Sequence, residues 1–293
     1  MSALALRIIA CVSMLLDHIG YCFGGRYPCL EPLRWIGRIA FPLYVFLIVN
    51  GFRHTSNRPR YALRLAIFAV ISQVPFALLF HHRELLHAID VIRKQPLALI
   101  TRPPAQTLGT LNVFVTLLIA LLTVWATDEM RKHRVTKYLC FLPTLAVYAV
   151  YYFGLLKSDY GAKGILLAMT FYLIDLRRFS TPGKKIAALF LTAVGMVFSI
   201  FHNYFLHYPI SSAIYLLQHL RGKVYTIAPL TAPTKWQLTQ LFALLALVYI
   251  FFYNGKKGRF PASRCGAKAV QLGFYLFYPV HILVLYGLKL LLR

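Results

Sequence analysis

Two residues of the first apolar stretch, Arg7 and His18 in RIIACVSMLLDHIG, carry chemistry that is out of place in hydrocarbon. They stand eleven positions apart, a helical turn of about 1100°, which leaves them about 20° from full register and roughly 16–17 Å apart along the axis. Both therefore face one groove. A guanidinium at one end of such a groove attracts phosphate or a polar head group. A neutral imidazole deeper in it can take a proton from an attacking hydroxyl or amine. The arrangement suits a long, thin substrate lying along the helix, and acyl-carrying thioesters have that shape. Asp17 adjoins His18 and so points about 100° away, towards another span rather than towards the imidazole. The opposing reading is that Asp17 and His18 sit at the headgroup boundary, where polar groups are cheap.

Other ionisable and polar residues interrupt the apolar runs, and each has a bland and a functional reading. Arg38 opens GRIAFPLYVFLIVNGF, where it either serves a site or snorkels to the interface. Pro42 in that run removes a backbone hydrogen bond and kinks the helix. Asn50 and Gly51 close the run, and Arg53 follows it. Asn112 and Thr116 are four apart and share a helix face. Asp159, one of only eight acidic residues, precedes Gly161 and Gly164, which allow close backbone approach. His281 lies inside the last run beside Pro279 and is either a packing histidine or a member of the site. The candidate catalytic residues are thus His18, Asp17, Asp159, Arg38 and His281, and the candidate cofactor-binding residues are Arg7, Asn50, Arg53 and Asn112. There is no metal-ligand spacing, and the His81, His82 and His87 group lacks matching ligands. A G-x-S-x-G elbow is also absent.

The elements that must hold these residues are membrane helices. The chain has 293 residues, 59% of them hydrophobic and 14% charged, far below the ~25% charged of soluble domains. A soluble fold is excluded, and an aromatic content of 15% excludes a disordered nucleic-acid binder despite a net charge of +24. Apolar runs bounded by basic clusters predict about nine spans, near 3–23, 34–52, 62–80, 108–127, 138–154, 161–176, 186–202, 236–253 and 270–290. The polar stretch 203–219 reads as a re-entrant or interfacial segment, with a tenth span as the alternative. The whole chain, 1–293, forms one all-α transmembrane domain. Arg53, Arg58, Arg60 and Arg64, then Arg131, Lys132, Arg134 and Lys137, then Arg177, Arg178, Lys184 and Lys185, then the 254–268 cluster fall in alternate loops. With nine spans these share the cytoplasmic side together with the amino terminus. The basic excess anchors loops to anionic lipid and can also attract a polyanionic nucleotide cofactor.

DHIG at 17–20, GRIAFPLYVFLIVNGFRHT at 37–55, RYALRLAIFAVISQVPF at 60–76, LNVFVTLL at 111–118, DYGAKGILLAM at 159–169 and FYPVHILVLYG at 277–287 together resemble the TraX family over nearly the whole chain. That family takes its name from a conjugation-associated protein that N-acetylates pilin subunits. Its members resemble integral-membrane acyltransferases, some of which O-acetylate surface glycans and carry a basic residue, ten intervening positions and a catalytic histidine in the first span. Arg7 and His18 fit that pattern. The resemblance implies a bacterial inner-membrane enzyme that takes acetyl-CoA from the cytoplasm and acetylates a peptide amine or glycan hydroxyl reached from the other side. The 81–107 and 203–235 loops are longer than the pattern needs, which leaves the acceptor open. The competing class is a transporter or flippase relaying protons through Asp17, His18 and His281, which should show related halves; no internal repeat is visible. An inactive scaffold for surface-appendage assembly is a third reading.

Overall fold

A computed structural model describes residues 1–97, 101–175, 181–209, 211–213, 234–258 and 263–292. Among these there is no strand, only an isolated backbone bridge between Leu111 and Ser158. The helices are α1 (Ala3–Phe23), α2 (Leu33–Gly37), α3 (Ala40–His54), α4 (Arg58–Phe80), α5 (His82–Lys94), α6 (Pro104–Thr107), α7 (Val113–Lys132), α8 (Leu142–Tyr152), α9 (Gly161–Leu173), α10 (Pro182–Ile200), α11 (Lys235–Thr239), α12 (Ala246–Phe251) and α13 (Arg264–Leu291). Among the described residues each of the nine apolar runs contains helix. Among the same residues six stretches are long and apolar enough to cross a bilayer: Ala3–Phe23, Pro28–His54, Arg58–Phe80, Val113–Lys132, Pro182–Ile200 and Cys265–Leu291. The chain is a polytopic helical membrane protein.

The remaining runs give shorter helices for local reasons. α8 has 11 residues because a 3₁₀ turn, Thr136–Leu139, precedes it and Gly154, at φ +66°, follows it. α9 has 13 residues and starts at Gly161, whose φ of +48° sets the entry angle. The 236–253 run is broken by a 3₁₀ segment, Gln240–Leu245. Of the 203–219 stretch, Asn203–His207 is a π-helical turn, while residue 210 and residues 214–219 lie outside the described residues.

Helix starts follow capping chemistry. Ser2, Asn57, Asn112 and Ser263 each accept a backbone N–H from the first turn of α1, α4, α7 and α13. In the second span the helix breaks at Arg38 and Ile39, between α2 and α3. Pro42 has no N–H to reach the Arg38 carbonyl, so the turn opens there.

Loop contacts divide the molecule into two faces. On one, the amino terminus is strapped to the 254–258 loop through Ala3 N to Lys256 O at 2.9 Å and Leu4 N to Lys257 O at 3.0 Å. Arg58 there meets Asp128 at 3.0 Å and Glu129 at 2.7 Å. On the other face Glu84 accepts from Thr110 N, Leu111 N donates to Lys157 O, and Asp159 N donates to Leu111 O, joining the 105–111 and 155–159 loops. Lys132, which meets Asp128 at 3.1 Å, lies on the first face with Arg58, Lys256 and Lys257.

α3 is the centre of the bundle, packed by α1, α7, α9 and α12, with Leu43, Val45, Val49 and Phe52 fully enclosed. Three glycines permit its surroundings to close. A Cβ at Gly37 would stand 2.2 Å from Asp17 Cβ, one at Gly20 would stand 2.7 Å from Arg34 Cγ, and one at Gly164 would stand 2.5 Å from Thr116 Cγ2. The DHIG and GRIA strings interlock through these contacts.

Candidate active site

A cavity of about 120 Å³ runs beside α1, enclosed by α1, α3, α4, α7, α13 and the loop before α9. Arg7, Tyr61, Leu65, Gln271 and Phe274 line the end near the basic face. Asp17, His18, Asp159 and Tyr160 line the opposite end, with Tyr44, Phe114 and Tyr278 between. Arg7 and His18 thus border one space. Its volume suits an extended chain rather than a nucleotide, which would have to remain at the mouth.

His18 is positioned from the last helix. His18 Nδ1 lies 2.7 Å from His281 Nε2, and His281 Nδ1 lies 2.6 Å from the Phe277 carbonyl oxygen. The carbonyl can only accept, so His281 Nδ1 carries the proton and its Nε2 is the acceptor when the ring is neutral. His18 Nδ1–H must then donate, which leaves His18 Nε2 as the basic atom. The two rings are nearly parallel, 5° apart at a centroid distance of 5.0 Å, and Phe80 packs edge-on against His18 at 5.1 Å. Phe277 O is accessible to His281 because both residues occupy one turn of α13.

Asp17 pairs with Arg38, both largely enclosed, at 14% and 7% exposure. Arg38 Nε also donates to Arg34 O at 3.1 Å, so the guanidinium ties α1 to the broken second span. It does not snorkel. Asp159 borders the same cavity as His18, and its carboxylate accepts no hydrogen bond from a described residue. Burial pushes its carboxyl up to about 6; Arg38 opposes the rise, Asp17 adds to it and Lys163 opposes it. The residue is exposed where it borders two cavities, and the protein packed around it supplies the desolvation.

The other candidates lie elsewhere. Arg53 donates to the Phe171 and Tyr172 carbonyls, at 3.1 and 2.7 Å, and meets Asp175 at 3.3 Å, holding the carboxyl end of α9. Asn50 donates to Tyr253 Oη at 3.0 Å. Asn112, with no exposed surface, caps α7 through Phe114 N at 2.9 Å and spends its amide on Ala69 O and Gln73 Oε1 at 2.6 and 2.9 Å. Neither Arg53, Asn50 nor Asn112 borders the cavity. A residue the sequence reasoning passed over does: Tyr44, whose hydroxyl is 3.1 Å from Cys11 Sγ. Its signal was a phenol inside an apolar run, where a polar tip needs a partner.

These features define a polytopic helical membrane protein with an interior cavity carrying an oriented histidine. The family described as TraX protein matches residues 2–289, and the chain belongs to the TraX family. It is 29% identical over 300 residues to the probable fimbrial assembly protein FimC, serogroup H1, of Dichelobacter nodosus, across 100% of this chain and 97% of that relative. No solved structure matches the chain.

Proposed function

We propose that this chain is a membrane acetyltransferase that moves an acetyl group from acetyl-CoA to an amine or hydroxyl acceptor, a pilin-like peptide terminus or a surface glycan. The observation that carries this reading is the hydrogen-bond series from Phe277 O through His281 to His18, ending in a basic Nε2 on a cavity that Arg7 borders at its far end. Family membership and a relative named as a fimbrial assembly protein support a surface-appendage setting. The concentration of basic loops on the face holding the amino terminus supports a bacterial inner-membrane location with that face cytoplasmic.

In this account Arg7 holds a phosphate or the near end of the pantetheine arm at the inner mouth, and the arm threads the cavity with the acetyl thioester at its far end. His18 Nε2 takes the proton of the acceptor as its oxygen or nitrogen bonds to the thioester carbonyl carbon. The C–S bond then breaks, and the departing thiolate takes that proton from His18. In this reading Tyr44 Oη, which borders the cavity, donates to the carbonyl oxygen as it gains charge while accepting from the Cys11 thiol; Asn112 and Arg38 do not border that cavity. Enclosure between helices keeps water from the thioester. Asp17 and Arg38 act as positioning residues for α1.

The test is thiol release from acetyl-CoA by the reconstituted protein supplied with envelope extract. Wild type releases thiol and labels an envelope component, and His18→Gln does neither. Equal labelling by the two proteins overturns the proposal.

A further inference from the structure

On the face opposite the amino terminus, a cleft of about 440 Å³ opens where the end of α4 and the first turn of α5 meet the last turns of α13. Phe80, His81, His82, Arg83, Glu84 and Lys289 stand in its wall. We infer that this cleft holds the phosphodiester head group of an anionic phospholipid from the surrounding bilayer. The inference is independent of the acetyltransferase reading, since it concerns neither donor nor acceptor.

Charge, size and depth carry it. Arg83 and Lys289 bring two fixed positive charges from distant parts of the chain, and the His81 and His82 imidazoles add donors. The carboxylate in the wall, Glu84, is already engaged, accepting from Thr110 N and lying 3.3 Å from His81 Nδ1. Among the described residues neither Arg83 nor Lys289 meets a carboxylate; the Lys289 ammonium lies 5.6 Å from the centre of the Tyr21 ring. A guanidinium fork and an ammonium point charge around one space match a phosphate group. Snorkelling would leave each cation alone at its own span end, whereas these two share a cleft whose volume is that of a small-ligand site.

The apolar surroundings select a lipid over a free phosphate ion. α4 and α13 each run the length of a membrane span and end at the cleft, so its cations stand where hydrocarbon gives way to head groups. The same helices expose Val70 and Val74, and Val284 and Leu288, as surfaces for acyl chains. Along α5 the exposed Leu86, Ile89 and Ile92 recur at helical spacing beside charged residues, the pattern of a helix lying in the interface plane. An inorganic ion would use the cations and none of these surfaces. Phe80 connects the cleft to the first cavity, because it borders the cleft and packs edge-on against His18 at 5.1 Å.

The experiment follows the thermal midpoint of the full chain in dodecyl maltoside micelles during titration with dioleoylphosphatidylglycerol, dioleoylphosphatidylcholine or sodium phosphate. Phosphatidylglycerol should raise the midpoint saturably. Phosphatidylcholine, with the same chains and no net charge, and inorganic phosphate at equal concentration should leave it in place. Arg83→Gln and Lys289→Gln should each raise the half-saturating phosphatidylglycerol concentration about tenfold. Arg134→Gln, at an exposed position just beyond Lys132 on the opposite face, should leave that concentration unchanged. Half-saturation that neither cleft substitution alters, or that Arg134→Gln alters equally, would mean a general attraction of anionic lipid to a basic protein and overturns the inference. An equal rise with phosphatidylcholine or with inorganic phosphate, or no rise with phosphatidylglycerol, overturns it as well.

Discussion

His18 Nδ1 and His281 Nε2 are 2.7 Å apart although 263 positions separate them in the chain, so the first and last long helices meet at a shared hydrogen bond. Because His281 is itself fixed by Phe277 O, the contact selects the His18 tautomer. Removing the His18 ring should lower kcat for acetyl transfer by about 10²–10⁴. His281→Ala should lower kcat by at least about tenfold with little change in KM for acetyl-CoA, since it orients the base without touching the donor. His281→Gln, which offers an acceptor oxygen, should restore part of the loss. Steady-state kinetics on the three variants decide the matter; an unchanged kcat in His281→Ala contradicts the orienting role.

The Asp17–Arg38 pair is enclosed, so removing one member takes an ionic partner from the other. Asp17→Asn should destabilise the protein by about 3–5 kcal/mol, and adding Arg38→Gln should recover part of it. Thermal unfolding in detergent, followed by circular dichroism, measures both. Additive losses would show that the two groups are not coupled.

Gly37 lies against Asp17 so closely that a methyl group would overlap Asp17 Cβ at 2.2 Å. Gly37→Ala should force α1 away from the second span, at about 1–3 kcal/mol or more, and lower the thermal midpoint. Gly183→Ala, where a Cβ meets nothing within 4 Å, is the control and should leave the midpoint in place.

Asp159 gives a pH dependence with a definite sign. Its carboxyl, raised by burial from an ordinary 3.8 to about 6, binds its proton more tightly folded than unfolded. Stability should therefore fall as pH rises from about 4 to about 6 and show no further contribution from this group above that. Asp159→Asn should flatten that segment of the stability curve. Unfolding midpoints across the interval test it, and a wild-type slope that survives in Asp159→Asn contradicts the assignment.

What the sequence made legible was what depends on one helix at a time. The shared face of Arg7 and His18 follows from helical periodicity alone, and both residues border one cavity. The expectation that Asp17 points to another span follows in the same way, and its partner proves to be Arg38. Contacts between distant segments were not legible. Arg53 serves the end of a helix more than 100 positions away, and nothing near Arg53 in the chain announces that helix end. Asn112 could have been read correctly, since an asparagine immediately before an apolar run is a capping signal. The lengths of α8 and α9 escaped because hydropathy marks where a chain is apolar, not where Gly154 and Gly161 turn it.

The account stands most directly on the two ends of one cavity having separate tasks. Reconstituted wild type, Arg7→Gln and His18→Gln should be compared for transfer from radiolabelled acetyl-CoA across a range of donor concentrations. The account predicts that Arg7→Gln raises KM for acetyl-CoA about tenfold with kcat little changed, while His18→Gln lowers kcat at least about a hundredfold with KM little changed. Wild-type kinetics in both variants would contradict it.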